Sequence, residues 1–430
     1  MRSLINLTLI LAGIGSSACW ARIDWEAKYR VRGAYHLLQP VDLATHRHWA
    51  EGRAETALSE HWSIAAGARA YIDSAFESNS RYRGKPIAEK ESEEFAVRDL
   101  YLQYKRNKFQ LRFGNQQLVW GEAFGFFFAD IINPKDTREF GLGGDLTAQR
   151  ITVPMATAIF FLAKGTLQFV YVPKPFFSLT PAIGSDFSSG LDRLFPTLTT
   201  EVDSPRSLPL GFSNGEFGTR VSGVFGGWDI AVFFLTYFDR SPVYALDLTP
   251  IKATFRQTHP KLTTVGVTGT KDFDWWLLRF ETLYTRNRPI NTFNLNPLNL
   301  GQSLAIEKAD EWVGVVGFDY TKWRSWRAGL QFSHHLLTHD FPGAFTPANR
   351  TQMSFSLYGP IYKEQALDLI WSYFFQDASQ LLQFSYHIPL TDALDFSTGV
   401  FVFAGGNNSQ YGRFKNASRA YVQLIAHFGG

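Results

Sequence analysis

The stretch Tyr421-Val422-Gln423-Leu424-Ile425-Ala426-His427-Phe428 alternates strictly. In an extended strand Val422, Leu424, Ala426 and Phe428 share one face, and Tyr421, Gln423, Ile425 and His427 share the other. An alternating strand that ends on an aromatic near the chain terminus suits a wall with lipid outside and water or packed polar groups inside. Gly429 and Gly430 follow that aromatic.

The other end of the chain repeats the pattern. Ile23, Trp25, Ala27, Tyr29, Val31, Gly33, Tyr35 and Leu37 fall on one face, and Asp24, Glu26, Lys28, Arg30 and Arg32 on the other. A row of charges like this would cost too much in a dry core. It is at home on a wall that faces a wet lumen. Further candidate strands cover 47–58, 61–75, 95–106, 108–115, 150–161, 165–173, 216–225, 228–238, 261–270, 274–285, 311–320, 325–338, 351–359, 366–376, 380–388, 393–403 and 418–428. In 274–285, Trp276, Leu278, Phe280, Thr282 and Tyr284 are expected to face lipid, with Arg279 and Glu281 inside.

The fold this predicts is all-β: a transmembrane antiparallel barrel of about eighteen strands, with about sixteen as the neighbouring even count. Connections after even-numbered strands are short: 59–60, 107, 162–164, 226–227, 271–273, 321–324 and 389–392. After odd-numbered strands most are long: 77–94, 116–149, 174–215, 239–260 and 286–310. Short turns on the periplasmic side and long loops outside are the asymmetry such barrels show. The exception is 377–379, a short connection where a long one is due.

Composition bounds the alternatives. Mean hydropathy is −0.13, and no segment of the mature chain is long and apolar enough for a spanning helix. Yet 16% of residues are aromatic, as expected if Trp, Tyr and Phe crowd two membrane interfaces. A soluble sandwich or propeller is the competing class, and the chain carries no internal repeat of fixed period. The formal net charge of +3 gives no sign of a nucleic-acid partner.

Residues 1–21 read as a signal peptide, leaving 22–430 as the barrel. Arg2 supplies a positive start, 4–14 an apolar stretch, and Ser16-Ser17-Ala18-Cys19-Trp20-Ala21 a small-residue cleavage region. Lipidation of Cys19 is the competing reading, but Ser16 stands where a large aliphatic residue is expected. Cys19 is the only cysteine, so the mature chain has no disulfide, zinc-thiolate site or thiol nucleophile.

The connections 116–149 and 174–215 are too long and too aromatic for simple loops. Phe124, Phe126, Phe127, Phe128, Ile131 and Ile132 need burial, which predicts that these outer loops fold into the lumen. Residues 185–194 are expected to form a short helix that buries Leu191, Leu194 and Phe195.

Within this region stand Arg112-Phe113-Gly114-Asn115-Gln116, Trp120-Gly121-Glu122, Asn133-Pro134-Lys135-Asp136 and Val153-Pro154. Over 112–154 the chain resembles a large proteobacterial family of outer-membrane proteins classed as a domain of unknown function. That family's signature runs R-x-G-x-Q, W-G-E, N-P-x-D, then a Pro in the next strand. It often has Ser after W-G-E, where this chain has Ala123. The resemblance implies an outer-membrane barrel that works with envelope export or lipid-handling machinery, and it supplies no substrate. On their own chemistry, Arg112, Gly114, Gln116, Trp120, Gly121, Glu122, Asn133, Pro134 and Asp136 make a latch for an in-folded loop. Gly114 would admit the loop's close approach, Trp120 would anchor it, and Glu122 would pair with a lumenal arginine. Direct substrate contact is the alternative role.

Lumen-facing positions hold Arg30, Arg32, Arg53, Arg69, Arg112, Arg220, Arg279 and Arg327. Opposed to them are Glu26, Glu51, Glu281 and Asp368 among other carboxylates. Such charges either orient a polar solute at a constriction or pair with one another to fill the barrel. Asp130, Asn133, Asp136, Glu139 and Asp145 carry enough oxygens for a calcium site at 130–145, without EF-hand spacing; solvated loop carboxylates are the simpler reading. No other cofactor is expected. His334 and His335 adjoin Ser333, but neighbouring strand residues point to opposite faces, and no G-x-S-x-G or H-E-x-x-H is present. The chain is therefore not expected to be an enzyme.

The function these readings predict is a porin-like channel that passes a small solute through a loop-constricted lumen of mixed charge. The alternative is a plugged barrel that acts as partner to a periplasmic export machine or one that moves lipid or hydrophobic compounds. Expected contacts are outer-membrane lipid, a small solute and, on the second reading, that partner.

Overall fold

The computed structural model describes residues 22–83, 86–121, 128–140, 149–294, 303–323 and 325–430. The proposed signal peptide at 1–21, Glu122, Phe124, Phe126, Phe127 and Asp145 lie outside them.

The strands are β1 (Ile23–His36), β2 (Leu43–Ala57), β3 (Trp62–Asp73), β4 (Glu93–Arg106), β5 (Phe109–Gln116), β6 (Val153–Leu162) and β7 (Gly165–Val172). Next come β8 (Thr199–Val202), β9 (Glu216–Phe225), β10 (Trp228–Phe238), β11 (Val243–Leu248), β12 (Lys252–Thr258), β13 (Lys261–Asp272) and β14 (Trp276–Asn294). The last are β15 (Ser303–Tyr320), β16 (Arg327–Leu337), β17 (Asn349–Tyr362), β18 (Gln365–Phe374), β19 (Ser379–Thr391), β20 (Leu394–Ala404) and β21 (Arg419–Gly429). Two short helices, α1 (Ala75–Ser78) and α2 (Pro86–Glu91), sit in the connection after β3.

Eighteen of these strands form one sheet, each pairing antiparallel with its neighbours. β1 pairs with β2 on one side and with β21 on the other, so the sheet closes. Closure leaves no edge for lipid to meet. The alternation read from the sequence is the alternation of the wall. Outward-facing Trp276, Phe318, Trp312 and Val422 are exposed, and Phe95 is 74% exposed; in a bilayer that surface meets lipid tails. Between β9 and β10 the turn is Gly226-Gly227 at φ 59° and 79°, the left-handed pair a two-residue hairpin needs.

Three features depart from the sequence reading. The connection 239–260 is not a loop: β11 and β12 pair antiparallel, and β8 adds to β12 in parallel, making a small separate sheet. The connection 286–310 is mostly strand, because β14 and β15 run on together past a bulge after Thr285 to Asn294 and Ser303. The helix expected at 185–194 is a single 3-10 turn, Leu191–Leu194; Leu191 and Phe195 are buried with Ala253 and Phe255 of β12. The short outer connection stands as read, with β18 ending at Phe374 and β19 starting at Ser379.

Candidate functional site

The lumen has two halves. Towards the periplasmic end its charges are accessible. Arg53, about a third exposed, bonds Glu55 at 2.6 Å and the Tyr101 hydroxyl at 3.1 Å, and lies 3.4 Å from Asp99. Arg112 donates to Gln103 Oε1 at 2.8 Å, with its guanidinium 4.4 Å over the Tyr101 ring. Arg279 meets Asp319 at 2.9 Å. Glu26 is exposed on β1 opposite Arg53; Glu51 on β2 stands opposite Lys28 and Arg69. Arg327, at the inner start of β16, lies 5.0 Å over Tyr358, which is opposite Asp368 on β18. Arg220 projects from β9. Arg30 lies 5.6 Å over Trp49.

The outer half is filled. The segment after β5 turns inward and packs on the wall from β6 to β15. Trp120, Ala129 and Ile132 are buried against Val153, Met155, Val170, Phe233, Leu235 and Leu283. The inward face of β10 is apolar for this reason: lipid covers one side and the in-folded segment the other. The run Ile230-Ala231-Val232-Phe233-Phe234-Leu235 was the visible signal, since a strand apolar on both faces is buried on both.

Polar contacts set the segment's register. Trp120 Nε1 donates to Gln168 at 2.9 Å. Asn133 Oδ1 accepts from Leu118 N at 2.8 Å, and its amide donates to the Ile151 carbonyl at 2.9 Å. Pro134 O accepts from Ile151 N at 2.8 Å, and Gln116 donates to Met155 O at 3.0 Å. Gly121 is the last described residue before 128. Glu281 is no constriction charge: one carboxylate oxygen accepts from Phe128 N and Ala129 N at 2.9 and 3.0 Å. Two contacts expected at the latch are placed differently. Gly114, at φ 124°, admits its neighbouring strand rather than the loop; a Cβ there would lie 2.2 Å from Leu100 O. Arg112 stays on the wall with Gln103.

The strongest clasp involves residues that sequence reasoning did not single out. Arg240 holds Glu216 through two bonds of 2.7 Å and donates to the carbonyls of Ile131, Ile132 and Phe176. This bidentate pair satisfies an arginine fork that burial would otherwise penalise. On the opposite wall, Arg47 joins Asp73 at 3.0 Å to Glu139 at 2.7 Å, and Arg32 lies 3.8 Å from Glu139. Arg69 meets Glu94 at 3.0 Å, and Arg138 bridges Glu94 and Asp136. Burial opposes ionisation of Asp136, but the hydrogen bond and charge of Arg138 outweigh it and lower its pKa.

These pairings involve the carboxylates named for calcium, apart from Asp145, which lies outside the described residues. Asp130 meets Arg150 at 2.8 Å and Lys135 at 3.6 Å, Asp136 meets Arg138, and Glu139 meets Arg47. The carboxylates of 130–139 are each committed to a cation and do not converge; among the described residues no acidic or histidine group of three gathers for a metal. His334 and His335 point to opposite sides: one is exposed and bonds Thr351 at 2.9 Å, the other turns inward, 3.5 Å from Glu311.

Above the segment lies a cavity of about 1080 Å³, roofed by parts of 174–207, Phe187 among them, and lined also by Phe140 and Phe414. The roof is pinned to the wall through Asp186. Its carboxylate accepts from Arg419 at 2.6 Å, from Tyr82 at 2.9 Å and from Arg81 at 3.3 Å, and bonds His36 Nε2 at 2.8 Å. Burial disfavours the charge on Asp186, but His36 and Arg419 outweigh it and hold the carboxyl well below its ordinary range.

Among solved structures the chain is similar to OccAB2 of Acinetobacter baumannii, with a TM-score of 0.56 at 11% identity, covering 95% of this chain and 98% of that one. OccK8 (OprE) of Pseudomonas aeruginosa gives 0.55 at 9% identity, covering 95% and 98%. OccAB1 of A. baumannii gives 0.54 at 8%, covering 96% and 100%. At such identities the likeness is one of fold. No curated protein sequence matches the chain. A closed barrel with an apolar outer belt is the form in which strands cross an outer membrane. Residues 48–423 match the family described as "Protein of unknown function (DUF1302)", and the chain belongs to that family.

Proposed function

We propose that the protein is an outer-membrane channel for a small solute, entered through the outer cavity and narrowed by the segment after β5. The observation that carries this reading is the contrast within the lumen. Inner-half charges such as Arg53, Glu55, Arg279 and Asp319 remain accessible, while only the outer half is filled. An eighteen-stranded wall leaves room for an aqueous path. Single-channel recording of the refolded protein in a planar bilayer tests it. Discrete steps that grow when the in-folded segment is loosened support it; a folded but silent protein, still silent with the segment loosened, sinks it.

The second reading, a plugged barrel partnered with a periplasmic machine for export, lipid or hydrophobic compounds, draws support from the breadth of the apolar contact between segment and wall. Co-purification of a periplasmic partner with the silent protein would favour it. Neither reading calls for catalysis by the chain. Export with cleavage after Ala21 belongs to both; the intact mass of the membrane-extracted protein, with Arg22 first, checks it.

A further inference from the structure

Pro154 stands in the wall where a proline is out of place. It lies in β6, which pairs with β5 on one side and β7 on the other. A central strand rarely holds a proline, because the ring removes a ladder donor. Nearby bonds give the direction of the missing donor. Phe161 N donates to Lys108 O beside β5, so odd-numbered residues of β6 turn their N–H groups to β5 and even-numbered ones to β7. Lys164 O, at the start of β7, accepts from Val224 N of β9, so even-numbered residues of β7 face β9 and odd-numbered ones face β6. In the β6–β7 register Ala156 pairs with Tyr171; two residues further out, Pro154 comes opposite Pro173. Both donors of that step are therefore missing.

The β6–β7 ladder ends at Ala156–Tyr171. Each strand stays paired with its other neighbour beyond that point, β6 with β5 to Val153–Gln116 and β7 with β9 to Val172–Glu216. The wall is thus whole on both flanks and open along one line. Unmade ladder bonds are expensive in a membrane wall, and two facing prolines make these permanent.

The line is apolar on both sides. Inside, Val153, Met155 and Val172 are buried with Trp120 of the in-folded segment. Gly218, on β9 beside the line, puts no side chain in between; a Cβ there would fall 2.7 Å from Trp120 Cη2. Outside, a groove of about 410 Å³ is lined by the small Ala156, Ala158 and Thr219 and by Phe169, Tyr171 and Phe217. Val170 and Gly218, at lumen-facing positions, line the same groove, so it reaches into the wall. Exposed Phe212 stacks on Tyr171 with centroids 5.7 Å apart, which carries the apolar surface to the outer rim. A polar solute gains nothing from such surroundings, whereas a hydrocarbon chain stays out of water on every side.

We propose that the outer end of the β6–β7 seam is a lateral portal, through which a hydrocarbon chain passes between the outer leaflet and the face of the in-folded segment. The route is separate from the aqueous path proposed for the inner half and does not depend on it.

The test is photolabelling of the full refolded protein in lipid vesicles with a diazirine-bearing hexadecane, with the insertion sites mapped by mass spectrometry. Outward-facing Tyr171 and Phe217 take label wherever the barrel sits in a bilayer. The expected result is label also on inward-facing Met155, Val172 and Trp120. It should exceed by at least about tenfold that on Leu283 and Val313, which are buried in the same cluster behind an unbroken ladder. Pro154→Ala/Pro173→Ala returns both donors and lets the ladder run on. That variant should cut the label on Met155, Val172 and Trp120 by about tenfold and leave Tyr171 and Phe217 unchanged. The heat-modifiable gel shift confirms its fold, and the comparison of Met155 with Val313 in the unaltered protein needs no variant. No label on the inward three, equal label on Leu283 and Val313, or a folded double variant that labels as before overturns the proposal. Bilayer conductance, recorded separately, reports on the aqueous path alone. A silent barrel with label at Met155 keeps the portal and loses the channel; a conducting barrel without that label does the reverse.

Discussion

Follow the inward face of β1 outward from its periplasmic end and the surroundings change halfway. Glu26 and Lys28 are exposed, whereas Arg32 is 4% exposed and His36 is 1% exposed. The same residue types line both halves of one strand. In the inner half they meet water and each other; in the outer half they meet Glu139 and Asp186, which arrive on in-folded connections. A lumenal arginine is therefore a solute contact or a strut according to what the loops bring to it. Its own strand does not decide. The inner half suits passage. The outer half is built as an interior, with apolar packing and the Arg240–Glu216 pair on the β6–β15 side and a larger set of buried ion pairs on the β1–β4 side.

That comparison can be broken most directly at Trp120. Trp120→Ala removes the largest side chain joining the segment to the wall and strips Gln168 of its donor. Large-to-small core changes of this kind cost about 3–5 kcal/mol. Hydrogen exchange across 128–140 should accelerate accordingly, and conductance should rise; unchanged exchange would mean that the outer half is not an interior. Arg47→Gln attacks the charged side. Leaving Asp73 and Glu139 without their shared partner should cost roughly 2–5 kcal/mol, read by the same exchange measurement. If the loss is under about 1 kcal/mol, the charged side behaves like an exposed surface and the two halves differ less than argued.

Glu91 sharpens the comparison through pH. Burial, opposed by the Ala182 N–H and by Arg138, pushes its pKa from 4.5 up to about 7. The folded state thus holds the proton more tightly than the unfolded chain does. The stabilisation is complete below pH 4.5 and is lost as pH rises to about 7. Protection of 77–94 against hydrogen exchange, corrected for intrinsic rates, should fall across that window by on the order of 1 kcal/mol per pH unit. Glu91→Gln should flatten the profile; a variant that keeps the slope would assign it to another group. The smallest effect belongs to the inner half. Arg279→Gln opens a partly exposed pair and should change stability by less than about 1 kcal/mol, yet shift the cation-to-anion permeability ratio. A large loss of stability there would show that the inner half too is structural.

Much of this was legible because a barrel wall writes its two environments into every second residue. The seam strands, the strand count and the inward charges all follow from that period. Other features were hidden for identifiable reasons. β8, with four residues, is too short to show a period, and its partner lies some fifty residues on. Glu281 looked like a lumen charge because nothing local says that two backbone N–H groups will be delivered to it from more than 150 residues away. Arg240 and Glu216 sit at the outer ends of wall strands, where inward and loop-facing roles share one sequence signature. The apolar inner face of β10 was readable, but it marks where a partner sits without naming which one.

The seam between β1 and β21 has a consequence for how the molecule is made. Glu26 pairs with Gly429, and Trp25 and Gly430 exchange backbone hydrogen bonds. The wall cannot close until β21 has been made and has reached β1. Before that the sheet has two open edges, and each unsatisfied backbone group in lipid costs several kcal/mol. A half-made chain therefore has no stable place in the bilayer. Entry into the membrane and closure of the ring must be a single event, or the edges must be sheltered by something else until the ends meet.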